Sequence, residues 1–338
     1  MPSLTSRAEP HESQGTDTHR WIDLKTLMAI QDLQWRAKTV VDGFQTGLHR
    51  SPLHGFSVEF SEYRPFSMGD DPRNIDWKLY ARSDRYYIKK FEDETNRRCY
   101  LVVDQSRSMN YGSVGYSKLD YARTLSATIA FQLIRQRDAV GLITFDAVVA
   151  DLLTARYRTG QLKRILSMLE RPTSGEATDL VSPLRQVSDL VRHRSLVTIV
   201  SDFLVSPEEL QTPLAFLRAR KHEVVLMRVL DPREIDFQHP NPVMVRDLES
   251  GQERFVDPTL VRESYRKRFE EHEARLKAIA EPLGIAVVQL PTDYPLELAL
   301  HEFLSQRERG LTTRQAVGDR YGTGAHSGGT PGQGGSRG

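Results

Sequence analysis

From Cys99 to Phe303 the chain alternates short β-branched apolar runs with segments whose apolar residues recur every three or four positions. That alternation predicts an α/β domain built on a doubly wound, mainly parallel sheet of Rossmann-like type. The size of the intervening helices requires both faces of the sheet to be covered. With 39% hydrophobic and 27% charged residues among 338, the chain has the composition of an ordinary folded protein able to bury a real core.

In chain order, Met1 to Arg20 is polar and lacks an apolar stretch, so residues 1–20 are expected to be a disordered leader without a signal peptide. Trp21 to His49 reads as one amphipathic helix, with Leu27, Ile30, Leu33, Ala37, Val40, Phe44 and Leu48 on one face and Asp23 as N-cap. Glu62 to Arg98 interleaves opposite charges with Tyr63, Phe66, Trp77, Tyr80 and Phe91, the mark of folded ion pairs. Residues 21–98 therefore form an N-terminal helical and β-rich elaboration, and residues 99–309 the α/β domain.

Within that domain the expected strands are Cys99–Val103, Ala139–Phe145 with a hairpin arm at Val148–Leu153, Leu196–Val200, Glu223–Leu230 and Ile285–Leu290. The expected helices follow Leu119–Ile134, Leu162–Leu169, Leu180–Val191, Pro207–Arg220, Val261–Ile279 and Leu296–Phe303. Residues 310–338 hold ten of the 22 glycines and almost no large apolar side chains, and are expected to be a disordered tail.

Forty-six basic against 45 acidic residues leave a formal charge of +1, so no global field holds nucleic acid or an anionic membrane. The single cysteine, Cys99, excludes an intramolecular disulfide, offers no zinc spacing, and suits a reducing cytoplasm. No apolar run reaches the roughly 20 residues that span a bilayer.

Ligands of open α/β sheets bind outside the carboxyl ends of the strands, near the topological switch point. Three loops there are rich in oxygen. The first strand ends in Asp104-Gln105-Ser106-Arg107-Ser108, whose alternation aims one carboxylate and two hydroxyls at one spot. Glu176 to Asp179 precedes a helix, and Ser201-Asp202 ends a strand. Taken singly, each loop reads as turn or cap chemistry. Together Asp104, Ser106, Ser108, Thr178 and Asp202 form a hard-oxygen set suited to Mg²⁺ or another divalent cation, with a position left for an incoming ligand.

The order Asp-x-Ser-x-Ser, threonine, aspartate resembles the metal-ion-dependent adhesion site of von Willebrand factor A domains. Upstream, Gly69-Asp70-Asp71-Pro72-Arg73, then Ile75-Asp76-Trp77-Lys78 and Ala81-Arg82, resemble the signature of the bacterial family called domain of unknown function 58. That resemblance implies a von Willebrand factor A-like domain and a divalent cation on the five residues above. It further implies a partnership with a MoxR-type AAA+ ATPase in the assembly or maturation of other proteins. The threonine loop, Gly175-Glu176-Ala177-Thr178, departs from the pattern by lacking a second glycine before Thr178. Asp70, Asp71, Arg73, Asp76, Lys78 and Arg82 are candidates for a partner-binding surface, with internal ion pairing as the other reading.

No nucleotide-binding glycine loop, nucleophile elbow or paired-histidine zinc motif occurs in the sequence. The expectation is a binding module for a carboxylate-bearing client and not an enzyme. The enzymatic alternative is Mg²⁺-dependent phosphoryl transfer at Asp104, weakened because Ser106 stands where a second carboxylate would serve as acid and base.

Overall fold

In the computed structural model the first strand of the main sheet is bounded by the apolar run the sequence shows, and the rest of the sheet assembles around it. The structure describes residues 21–48, 63–65, 80, 85–89, 97–173, 179–237, 242–246 and 253–321. Two helices come first, α1 (Leu24–Ala29) and α2 (Leu33–Leu48), and the short strands β1 (Tyr63–Pro65) and β2 (Tyr87–Lys89) pair antiparallel. The main domain then runs β3 (Arg98–Asp104), α3 (Lys118–Arg135), β4 (Ala139–Phe145), β5 (Val149–Arg156), α4 (Gln161–Leu169) and α5 (Val181–Leu190). It continues with β6 (Leu196–Ser201), α6 (Pro207–Ala219), β7 (Glu223–Leu230), α7 (Pro232–Asp236), β8 (Val243–Arg246), β9 (Glu253–Val256), α8 (Pro258–Ala280), β10 (Ala286–Pro291) and α9 (Leu296–Tyr321).

The six-stranded sheet has the order β10-β7-β6-β3-β4-β5, parallel except at β5, which folds back antiparallel on β4. This is the mainly parallel, doubly wound α/β fold expected from the sequence. The chain leaves β3 for β4 on one side and returns through β6 on the other, so the switch point lies between the carboxyl ends of β3 and β6.

Alternate residues of each central strand feed two apolar layers. Leu101 and Val103 of β3 join α1, α2, α3, α4 and α9 on one face, while Tyr100 and Val102 join α5, α6 and α8 on the other. Both layers exclude water, Leu101, Val102 and Val103 being fully buried. The first two helices belong to the first layer: Leu27, Ala37, Val40 and Val41 are 0–1% exposed, and Ile22 N–H donates to Glu297 Oε1 of α9 at 3.0 Å.

Three expectations are corrected. The N-terminal helix is not continuous from Trp21 to His49. It breaks at Ile30, whose backbone is extended, and restarts where Asp32 accepts the Trp35 N–H at 2.9 Å. A side chain that caps a helix from within the periodic pattern is invisible to periodicity. The last helix does not stop at Phe303 but continues to Tyr321, into the stretch expected to be a tail. Eight of the ten glycines in that window follow Tyr321, and isolated glycines such as Gly310 and Gly318 are tolerated inside a helix at ~1 kcal/mol each. The β8 and β9 hairpin was not anticipated. Among the described residues, no helix is long and apolar enough to cross a membrane.

Candidate functional site

Asp104 is the last residue of β3, and the adjacent Gln105 N–H still donates to Phe145 O of β4 at 2.7 Å, so the ladder fixes the backbone up to the site. The Asp104 carboxylate is 1% exposed. Its Oδ1 accepts the Ser106 N–H at 2.8 Å, and its Oδ2 accepts the Ser201 hydroxyl at 2.6 Å across the switch point. The Ser106 and Ser108 hydroxyls lie 3.2 Å apart. The chain does not remain extended, as the alternation suggested: Arg107–Asn110 forms a single 3₁₀ turn, anchored by the fully buried Met109. The turn still presents both hydroxyls together.

On the β6 side, Ser201 Oγ also accepts the Phe203 N–H at 3.1 Å. Phe203 is held at φ +50° with its ring fully buried, a left-handed turn that a bulky residue adopts only where its surroundings enforce it. Asp202, between them, is 1% exposed, and its Oδ1 accepts the Leu204 N–H at 3.3 Å. Burial, and then the neighbouring Asp202 charge, push the Asp104 carboxyl up to about 6, against the pull of its bonds to Ser201 and Ser106.

Sequence reading missed the cation on the other side of Asp202. Lys118, the first residue of α3, is 0% exposed and places Nζ 2.8 Å from Asp202 Oδ2 and 2.6 Å from Glu234 Oε1 of α7. Burial alone would lower its pKa, but Asp202 and Glu234 outweigh it and the net direction is upward. Glu234 shifts upward through burial, opposed by Lys118. A second buried cation, Arg228 of β7, donates Nε to the Asp202 carbonyl oxygen at 3.1 Å and lies over the Phe269 ring at 5.0 Å. The signal for Lys118 was available: a lysine in the first turn opposes the helix dipole and calls for a compensating anion.

The loop joining the 3₁₀ turn to α3 is tied to the same corner. Ser113 donates its N–H to Asp231 Oδ2 at 2.7 Å and its hydroxyl to Asp231 Oδ1 at 2.5 Å. Gly112 makes that return path possible, since a Cβ there would lie 2.0 Å from the Tyr116 carbonyl oxygen. Ser117 and Asp120 close a reciprocal capping box at the start of α3.

Of the residues expected at the site, the structure brings Asp104, Ser106 and Ser108 together and sets Asp202 beside Asp104. Thr178 lies outside the described residues, as do Asp70, Asp71, Arg73, Asp76, Lys78 and Arg82. Asp179, next to Thr178, accepts the Val181 and Ser182 N–H groups at 2.9 and 3.2 Å and so serves the start of α5. Cys99 is buried at the amino end of β3, and burial pushes its thiol up to about 12, which removes it as a nucleophile at neutral pH.

A divalent cation fits this donor set in part. Asp104 is a buried carboxylate whose two hydrogen bonds come from neutral donors, beside a second carboxylate, and that arrangement calls for positive charge. The adjacent serine oxygens are hard donors of the kind such ions take. Asp202 already has one oxygen on Lys118. Among the described residues, no three His, Cys, Asp or Glu side chains gather as a metal cage, so hydroxyls would have to share the coordination.

These features define an α/β protein with an oxygen-rich, charge-dense site at the switch point of its sheet. The chain belongs to the family described as protein of unknown function DUF58, whose profile matches residues 62–278. It is similar to the uncharacterized protein Rv1480 of Mycobacterium tuberculosis, at 29% identity over 294 residues, covering 85% of this chain and 92% of that one. It is also similar to the uncharacterized protein MAV169 of Mycobacterium avium, at 30% over 164 residues, 48% of this chain and 96% of that one. Among solved structures it is similar to BatB of Bacteroides thetaiotaomicron (TM-score 0.42, 15% identity, 63% of this chain and 99% of that one). A second is the SpRpn10 VWA domain (TM-score 0.39, 13% identity, 60% and 93%).

Proposed function

We propose that this chain is a metal-dependent protein-binding module. Asp104, Ser106 and Ser108, with Thr178 and Asp202, would hold Mg²⁺ or another divalent cation, and the ion would supply a Lewis-acid position for a carboxylate of a client protein. The observation that carries this reading is Asp104 itself: a buried carboxylate held by neutral donors, bonded to Ser106, whose hydroxyl lies 3.2 Å from that of Ser108, and neighboured by a second buried aspartate. The chain's own residues shape the recognition. Ser201 and the Ser106 N–H orient the Asp104 carboxylate, and Phe203 turns the backbone so that Ser201 and Asp202 stand at the same edge.

Membership in the DUF58 family supports the rest of the proposal: a cytoplasmic partner of a MoxR-type AAA+ ATPase that assists assembly or maturation of other proteins, using Asp70, Asp71, Arg73, Asp76, Lys78 and Arg82 as a docking surface. Binding needs no bond cleavage, and the protein is proposed not to be an enzyme. Phosphoryl transfer would need an acid and base two residues beyond Asp104, where Ser106 stands.

The test is recovery of the ATPase and client from lysate by the full chain, with and without chelator, for wild type and Asp104→Ala. Recovery that falls in both perturbed samples supports the proposal. Recovery indifferent to both overturns it, and turnover of a phosphate ester that Asp104→Asn abolishes would replace it with the enzymatic reading.

A further inference from the structure

Lys118 is the one buried ammonium described at the carboxyl edge of the sheet, and no part of the adhesion reading uses it. It is 0% exposed, and its two carboxylate partners come from separate elements: Asp202 at the end of β6 and Glu234 in α7. The path of its side chain is fixed at the base, because Lys118 N–H donates to Tyr111 O at 2.8 Å, and Ser117 and Asp120 cap the helix around it. On the far side, Glu234 is fixed as well: its Oε2 accepts the Asp231 N–H at 2.9 Å and its carbonyl accepts the Tyr265 hydroxyl at 2.6 Å. Asp202 is therefore gripped by a group that is itself rigidly placed, and its Oδ2 is committed to Lys118.

We propose that Lys118 is a positioning residue that withholds one carboxylate oxygen of Asp202 from a cation at Asp104, Ser106 and Ser108 and thereby sets the cation affinity of the site. The inference rests on the metal-binding reading above. Two effects act in the same direction. The ammonium repels a second cation across a short, water-poor distance, and it occupies an oxygen that the cation would otherwise take. An ion held under those conditions keeps more of its positive character for an incoming carboxylate. Lys118 thus trades cation affinity for client affinity.

The test is calorimetric titration of Mn²⁺ into the chelator-treated full chain, as wild type, Lys118→Arg, Lys118→Met and the double variant Lys118→Met with Asp202→Asn. Lys118→Met should bind Mn²⁺ roughly tenfold or more tightly than wild type. Lys118→Arg should remain near wild type, and the double variant should lose the part of the gain that comes from the release of Asp202. A merely structural lysine would leave the affinity unchanged or weakened in Lys118→Met, and that result overturns the proposal. Should Lys118→Met fail to fold, Glu234→Gln decides. With Glu234 neutral, Lys118 is left to Asp202 alone and Mn²⁺ binding should weaken several-fold, whereas an unchanged affinity overturns the proposal. The two readings fail separately. A wild type that binds no Mn²⁺ while Lys118→Met does would sink the metal-dependent module and sustain the role of Lys118. Silence from both would sink both.

Discussion

The two ends of the same parallel strands carry similar residues in opposite circumstances. At the amino end, Arg97, Arg98, Arg194, Arg307, Asp138 and Glu223 line a cleft of about 260 Å³ open to solvent. At the carboxyl end, Asp104, Lys118, Asp202 and Arg228 are each no more than 1% exposed, and Glu234 closes the group. Water screens most of the first set, Asp138 being its buried member. The second set must be compensated from within, so each charge there depends on a named partner and its removal is felt by the others. A count of charges would not separate the two ends; burial does.

The largest expected effect follows from breaking the inner set. Lys118→Met leaves two carboxylates uncompensated, one of them fully buried, and should lower unfolding stability by ~3–5 kcal/mol in chelator, measured by urea denaturation at neutral pH. A loss below ~1 kcal/mol would mean that water or another cation already serves Asp202 and Glu234, and that the inner set is less enclosed than its exposures indicate.

Next comes Asp104, where the cost can be read as a pH dependence. Its carboxyl is raised to about 6 in the folded chain from an ordinary value of 3.8. The folded state therefore binds the proton more tightly than the unfolded state does between those values. The contribution is stabilising at low pH, diminishes as pH rises from about 4 to about 6, and is gone above that. In chelator, Asp104→Asn should remove this slope and be more stable than wild type at pH 7 by ~2–3 kcal/mol. Parallel stability profiles for the two proteins across that window would refute the assignment. A saturating divalent cation should erase the difference, because it supplies the missing positive charge.

The same contrast explains what the sequence could reveal. The strands were legible because a doubly covered sheet leaves runs such as Leu196–Val200 apolar on both sides, and the switch point followed from the order of elements. Asp104, Ser106 and Ser108 were legible because three oxygen-bearing residues two apart in sequence share a turn. The pairing of Lys118 with Glu234 was not, since the two are 116 residues apart and meet only when α3 and α7 close over β6. Asp231 was hidden likewise, its partner Ser113 lying 118 residues upstream. Local pattern finds groups that one turn brings together, while topology alone brings together groups from separate crossovers. The break between α1 and α2 failed for another reason: the apolar period runs through Ile30 to Leu33 without interruption, while the backbone there answers to the Asp32 side chain.

At the amino end, Arg307 and Asp138 test the intermediate case. Arg307 Nη2 meets Asp138 Oδ2 at 2.5 Å, with the arginine 13% and the aspartate 2% exposed, and Arg307 Nη1 donates to Gln136 at 2.7 Å. Arg307→Ala should cost ~1–2 kcal/mol, the desolvation of one carboxylate that the open cleft partly relieves. A cost equal to that of Lys118→Met would remove the distinction between the two ends.

The smallest effect sets the lower bound of the scale. Arg266 and Glu270 of α8 form an i,i+4 pair at 3.6 Å with both side chains more than half exposed. Both charges are hydrated whether or not they meet, and holding two long side chains in one geometry costs entropy that nearly offsets the attraction. The order is also the less favourable one, with the base toward the helix N-terminus. Arg266→Ala should therefore change stability by no more than ~0.5 kcal/mol, and raising the salt to 1 M should remove even that. If it costs as much as Arg307→Ala, then exposure is not what grades these pairs, and the ranking from the closed site to the open cleft to the free helix surface loses its physical basis.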